Sequence, residues 1–65
     1  MKIEVNQDIV YPKSNNLSGL LEEMNISTKG IAIAINNEVV SRLDWEKTNL
    51  QEYDKVTIIK ATQGG

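Results

Sequence analysis

The sequence predicts an α+β domain: a mixed sheet of about five strands with one helix packed across one face. Three observations predict it. Five short strand-like apolar segments punctuate the chain, and a single four-position apolar stripe at helical spacing separates the second from the third. The 65 residues, 40% of them apolar and 25% charged, suffice for one modest core and leave no room for a second domain.

Met1-Lys2-Ile3-Glu4-Val5 alternates apolar and polar and reads as a half-buried strand. Asn6-Gln7-Asp8 is a polar turn, and Ile9-Val10-Tyr11 returns as a second strand; runs this close pair antiparallel. Pro12 ends the hairpin, since proline cannot donate to a ladder. Ser14-Asn15-Asn16 supplies N-cap residues. Leu17, Leu20, Leu21 and Met24 then fall at i, i+3, i+4 and i+7, the core-facing stripe of a short helix that Gly19 weakens. Asn25 sits where a left-handed C-cap belongs, with Ile26 placed to pack back over the end. In Gly30–Ile35 the side chains of Ile31, Ile33 and Ile35 face one way and Ala32 and Ala34 the other. Asn36-Asn37 is a tight turn because asparagine tolerates positive φ, and Glu38–Ser41 returns as the next strand. Residues 42–53 read as irregular, anchored by Trp45 and Leu50. The last strand spans Lys55–Ala61, with Val56 and Ile58 toward the core and Thr57, Ile59 and Ala61 outward. This pattern suits a β-grasp fold over residues 1–61, followed by a flexible tail at 62–65. An SH3-like barrel would not spend a four-position stripe on a helix.

Composition excludes several function classes. The net charge of −2 is spread without a basic block, which argues against nucleic-acid and anionic-membrane partners. The absence of Cys and His removes disulfides, thiol nucleophiles, imidazole bases and any Cys/His metal site. The carboxylates are scattered, and the serines have no base, so no catalytic residue and no resident metal or cofactor are expected. Arg42, the only arginine, serves either as an anion or carboxylate partner or as a solvated charge. No apolar run approaches the ~18 residues of a membrane span, and the N-terminus lacks a charged region followed by an apolar one. Cytoplasm is the expected compartment.

The ending differs from the body. Thr62-Gln63-Gly64-Gly65 follows a core strand directly, and glycine is a poor residue for holding a sheet edge. A diglycyl end is either a frayed terminus or a slim probe able to thread a tunnel in another protein and present its carboxylate there. That carboxylate, with pKa about 3.3–3.7, is ionised at neutral pH and inert as an electrophile until its oxygen becomes a leaving group. Acyl-adenylation by a partner would supply that activation.

Ile31 to Arg42, then Trp45, Thr48-Asn49-Leu50, Asp54 to Ile58 and the closing Gly64-Gly65 together resemble the ThiS-type sulfur carriers, which are small ubiquitin-like β-grasp proteins. The resemblance covers the whole chain. Asn37 replaces the family's turn glycine, Ser41 its proline, and Tyr53 stands where a glycine is common. The resemblance implies that Gly65 is adenylated with ATP on a ThiF-like adenylyltransferase and converted to a thiocarboxylate with sulfur from a persulfide donor. The thiocarboxylate then donates sulfur to a ThiG-like thiazole synthase making the thiazole of thiamin. In this reading Gln63 and Gly64 thread the partner, and the protein is a co-substrate, not an enzyme. Ile59, Ala61 and Thr57, with Ala32 and Ala34 on the same face, would form an apolar docking patch; the alternative is an isolated exposed isoleucine. A MoaD-like subunit of molybdopterin synthase and a ubiquitin-like protein modifier share the fold and the Gly-Gly end.

Overall fold

The computed structural model of the chain describes residues 1–60; Ala61, Thr62, Gln63, Gly64 and Gly65, and with them the expected boundary between domain and tail, lie outside the described residues. The first hairpin turns on two residues, not three. Asn6 and Gln7 take φ of 49° and 74°, the backbone that a two-residue turn joining right-twisted strands requires. Asp8 therefore joins the second strand, and β1 (Ile3–Val5) pairs antiparallel with β2 (Asp8–Val10), Ile3 opposite Val10. β1 is shorter than the alternation suggested, and β2 keeps the expected length but starts and ends one residue earlier. The Lys2 N–H donates to the Glu52 carboxylate and the Lys2 carbonyl accepts from the Tyr53 N–H, each at 2.7 Å, so the chain start is tied to a loop instead of a ladder.

Helix α1 (Leu17–Glu23) is capped by Asn16, whose Oδ1 accepts from the Gly19 N–H at 2.7 Å. Leu17, Leu20 and Leu21 are buried, and Met24 and Ile26 pack against the same core. Asn25 has φ of 56°. Its N–H donates to the Glu22 carbonyl and the Ile26 N–H to the Leu21 carbonyl, which closes the helix and turns Ile26 inward.

Gly19 has a reason that helix propensity hides. A Cβ there would stand 2.8 Å from both Cβ and Oγ of Ser14 and 3.0 Å from the capping Oδ1 of Asn16. Propensity alone says Gly19→Ala gains up to about 1 kcal/mol. The contact with the incoming chain reverses the sign, because losing the cap alone costs about 1 kcal/mol. Gly19→Ala should lower the thermal midpoint; a higher midpoint would show that the Ser14–Asn16 segment yields freely.

The second half repeats the hairpin logic. Asn36 and Asn37, at φ of 51° and 70°, join β3 (Ile31–Ile35) to β4 (Glu38–Val40) with Ala34 opposite Val39. The final strand β5 (Lys55–Lys60) enters the middle of the sheet, parallel to β1 and antiparallel to β3. The order is β2-β1-β5-β3-β4, with α1 across one face: the ubiquitin-like β-grasp arrangement. Where β1 stops, the Asn6 side chain carries on for it, its Oδ1 accepting from the Ile58 N–H at 2.8 Å.

The segment expected to be irregular contains a 3₁₀ helix, Arg42–Lys47. It buries only Trp45, whose Nε1–H donates to the Val40 carbonyl at 3.0 Å, so no apolar periodicity announces it. Leu50 is the second anchor. Its N–H donates to the Asn15 carbonyl, while the Leu17 N–H donates to that of Thr48, and the helix start is thereby fastened to this loop. Tyr53 takes φ of 69°, a left-handed conformation costing a bulky residue about 1–2 kcal/mol that glycine would avoid.

Candidate functional site

The sheet face opposite α1 is where a partner can reach the last strand. Alternation along β5 buries Val56 and packs Ile58 against the core, leaving Ile59 52% exposed. The register sets Ile59 beside Ala32, and Thr57 beside Ala34. Ala32 is exposed, Thr57 half-buried and Ala34 buried at 8%. This corrects one part of the expected patch. Ala34 points to the outer face, but its methyl lies between the larger Thr57 and Val39 on the flanking strands, so it is floor and not contact surface.

Val39 was missed. It is 77% exposed and continues the Thr57–Ala34 row onto the edge strand. The signal was present: a two-residue turn at Asn36-Asn37 fixes Ala34 opposite Val39, and paired residues share a face. The described part of the surface is thus an apolar strip of Ile59, Ala32, Thr57 and Val39 over Ala34. Ala61, Gln63, Gly64 and Gly65 lie outside the described residues.

The charged groups of the body are structural or solvated. Asp54 is buried, accepting from Asn36 Nδ2–H at 3.0 Å and from the Gln51 N–H at 2.8 Å, and so fastens the Asn36 turn to the start of β5. Backbone N–H donation, from Lys13 first and also from Ser14, holds the Glu23 carboxyl below its usual range. Arg42 stacks on the Trp45 ring at 4.6 Å, and its Nη2–H reaches the Ile31 carbonyl at 3.4 Å. Among the described residues no group of carboxylates is placed to hold a metal ion, and no helix is long and apolar enough to cross a membrane.

One α-helix on a five-stranded mixed sheet among the described residues, with an apolar strip beside the last strand, defines a small ubiquitin-like β-grasp protein. The sequence model of the ThiS family matches residues 1–65. The sulfur carrier protein ThiS of Thermus thermophilus is 32% identical over 53 residues, covering 82% of this chain and 83% of that protein. The crystal structure of a thiamine biosynthesis protein, ThiS, from Geobacter metallireducens superposes with a TM-score of 0.85 at 22% identity over the whole of both chains. A solution structure of a thiamine biosynthesis protein from the same organism gives 0.76 at 23% identity, covering all of this chain and 88% of that one. These two likenesses establish the fold. The chain belongs to the ThiS family, the family of the Thermus sulfur carrier.

Proposed function

We propose that this chain carries sulfur for the thiazole of thiamin on its own C-terminal carboxyl. The observation that carries this reading is the family match, which runs through Gly64 and Gly65. A ThiF-like adenylyltransferase joins the Gly65 carboxylate to the α-phosphate of ATP with loss of pyrophosphate. The outer sulfur of a persulfide donor then displaces AMP to give an acyl disulfide. A thiol reduces that S–S bond to release the thiocarboxylate with formation of a disulfide, and the thiocarboxylate passes its sulfur to a ThiG-like thiazole synthase. The chain acts as co-substrate, and ATP belongs to the partner. The setting is the cytoplasm. A chain without cysteine has no thiol of its own to divert the activated acyl group. The family match favours this route over molybdopterin synthesis or protein modification.

Intact mass after incubation with the adenylating enzyme, ATP and a sulfur donor tests the proposal. One oxygen-for-sulfur exchange is expected at Gly65. An unchanged mass, or an isopeptide adduct on another protein, overturns it. Docking is tested separately. Ile59→Asp puts a charge on the apolar strip at a half-exposed site, and should raise the KM for the carrier about tenfold with the thermal midpoint unchanged. A large loss of stability would contradict the outward placement of Ile59.

A further inference from the structure

The end of the sheet from which the chain continues beyond Lys60 carries a concentration of positive charge that this acidic protein shows nowhere else in its described hollows. Lys29 and Lys60 line one open hollow with Asn6, Asn25, Ile26, Ser27, Ile31 and Ile58, and no carboxylate is among them. The other three hollows each include at least one Asp or Glu. Ile31 stands opposite Lys60 in the ladder, and the same Ile31 carbonyl receives the Arg42 guanidinium. Three of the seven cations thus gather where β5 ends, five residues before Gly65.

We propose that Lys29 and Lys60 form a basic collar that docks on an acidic rim of the adenylating enzyme, around the opening that admits the Gly-Gly end. The inference rests on the sulfur-carrier reading and adds to it the chemistry of the partner surface. The collar is built for protein carboxylates and not for a small anion. Asn25 and Ile26, which also line the hollow, follow the C-terminal end of α1, the negative pole of the helix dipole, which disfavours an anion inside the hollow while favouring cations at its rim. Ile26, Ile31 and Ile58 line it as well, and their side chains offer no donors. Lysines on a rim steer encounter, raising the association rate more than they strengthen the finished complex. The five residues after Lys60 span at most about 17 Å. A partner that takes up Gly65 must therefore bring its opening within about 17 Å of Lys60, where the collar stands.

The test is ATP–pyrophosphate exchange by the adenylating enzyme, with the carrier concentration varied at low and high salt. The double variant Lys29→Glu/Lys60→Glu is compared with a charge-matched control, Lys13→Glu/Lys47→Glu. The collar variant should raise the KM for the carrier about tenfold at low salt with kcat unchanged, and the gap should close as salt screens it. The control should stay near wild type. All four lysines are exposed, so thermal midpoints should be alike. Equal KM and equal salt dependence for collar variant and wild type overturn the collar while leaving the carrier function intact. So does an equal rise in collar variant and control, which marks a net-charge effect. Saturable binding of inorganic phosphate to the free carrier at Lys29 and Lys60 overturns it in favour of a small-anion pocket. No exchange with wild-type carrier overturns the carrier function and the collar together.

Discussion

Deleting Gly65, or extending the chain beyond it, should abolish sulfur loading completely and leave thermal unfolding where it was. The two halves of that result have separate causes. Loading fails because the proposed reacting group is the α-carboxyl itself, nucleophile toward ATP and then, as its adenylate, the electrophile. An added residue converts the Gly65 carboxyl to an amide, which cannot attack ATP, and deletion withdraws the reacting group by one residue from where the partner must hold it. Misplacement of about 1 Å already costs on the order of a hundredfold. Stability should be unaffected because, among the described residues, Ile3, Val5, Leu17, Leu20, Leu21, Ile31, Ile33, Trp45, Leu50 and Val56 already form one cluster. Intact mass and a melting curve on the same two variants read both halves. Loading of the extended chain would sink the proposal that the C-terminal carboxyl is the sulfur site. A lowered melting point would mean that the end also braces the fold.

Local chemistry made most of the fold legible. The helical stripe, the Asn16 cap, the left-handed Asn25 and the Asn36-Asn37 turn each have a side-chain cause acting within a few residues, and the structure contains all of them. Two features depended on distant partners and could not be read. The entry of β5 between β1 and β3 is decided by which edges the hairpins leave free, not by any residue in β5. The 3₁₀ helix at Arg42–Lys47 exists because Trp45 finds the Val40 carbonyl and the core, a tertiary event without periodicity. Gly19 was read as a helix weakness because its close neighbour, Ser14, approaches from outside the helix. At the candidate surface, Ile59 followed from alternation alone. Val39 needed the hairpin register to be carried one step further, and the burial of Ala34 needed the sizes of its neighbours on both sides.

Leu20→Ala should bring the domain to the edge of unfolding at 25 °C, losing about 2–5 kcal/mol. Leu20 is 0% exposed and sits mid-way along the only α-helix of the described residues, in the same cluster as Ile3, Ile33 and Val56 from three adjacent strands. Truncation removes buried methyl groups and leaves a void that a seven-residue helix cannot easily fill, since the Asn16 cap and the Asn25–Ile26 closure pin both its ends. The total available is small: a domain of this size without disulfide or metal has about 3–5 kcal/mol. The matched control is Leu43→Ala. Leu43 is 86% exposed, and its truncation should stay within about 0.5 kcal/mol of wild type. Denaturant titration followed by circular dichroism measures both. The pair also separates two ways of losing function: Leu20→Ala should lose loading in proportion to the unfolded fraction and recover it on cooling toward the temperature of maximum stability, which a variant of Gly65 cannot do. A Leu20→Ala midpoint equal to that of Leu43→Ala would mean that α1 is not seated on the sheet as described, and the face it covers would then be open to a partner.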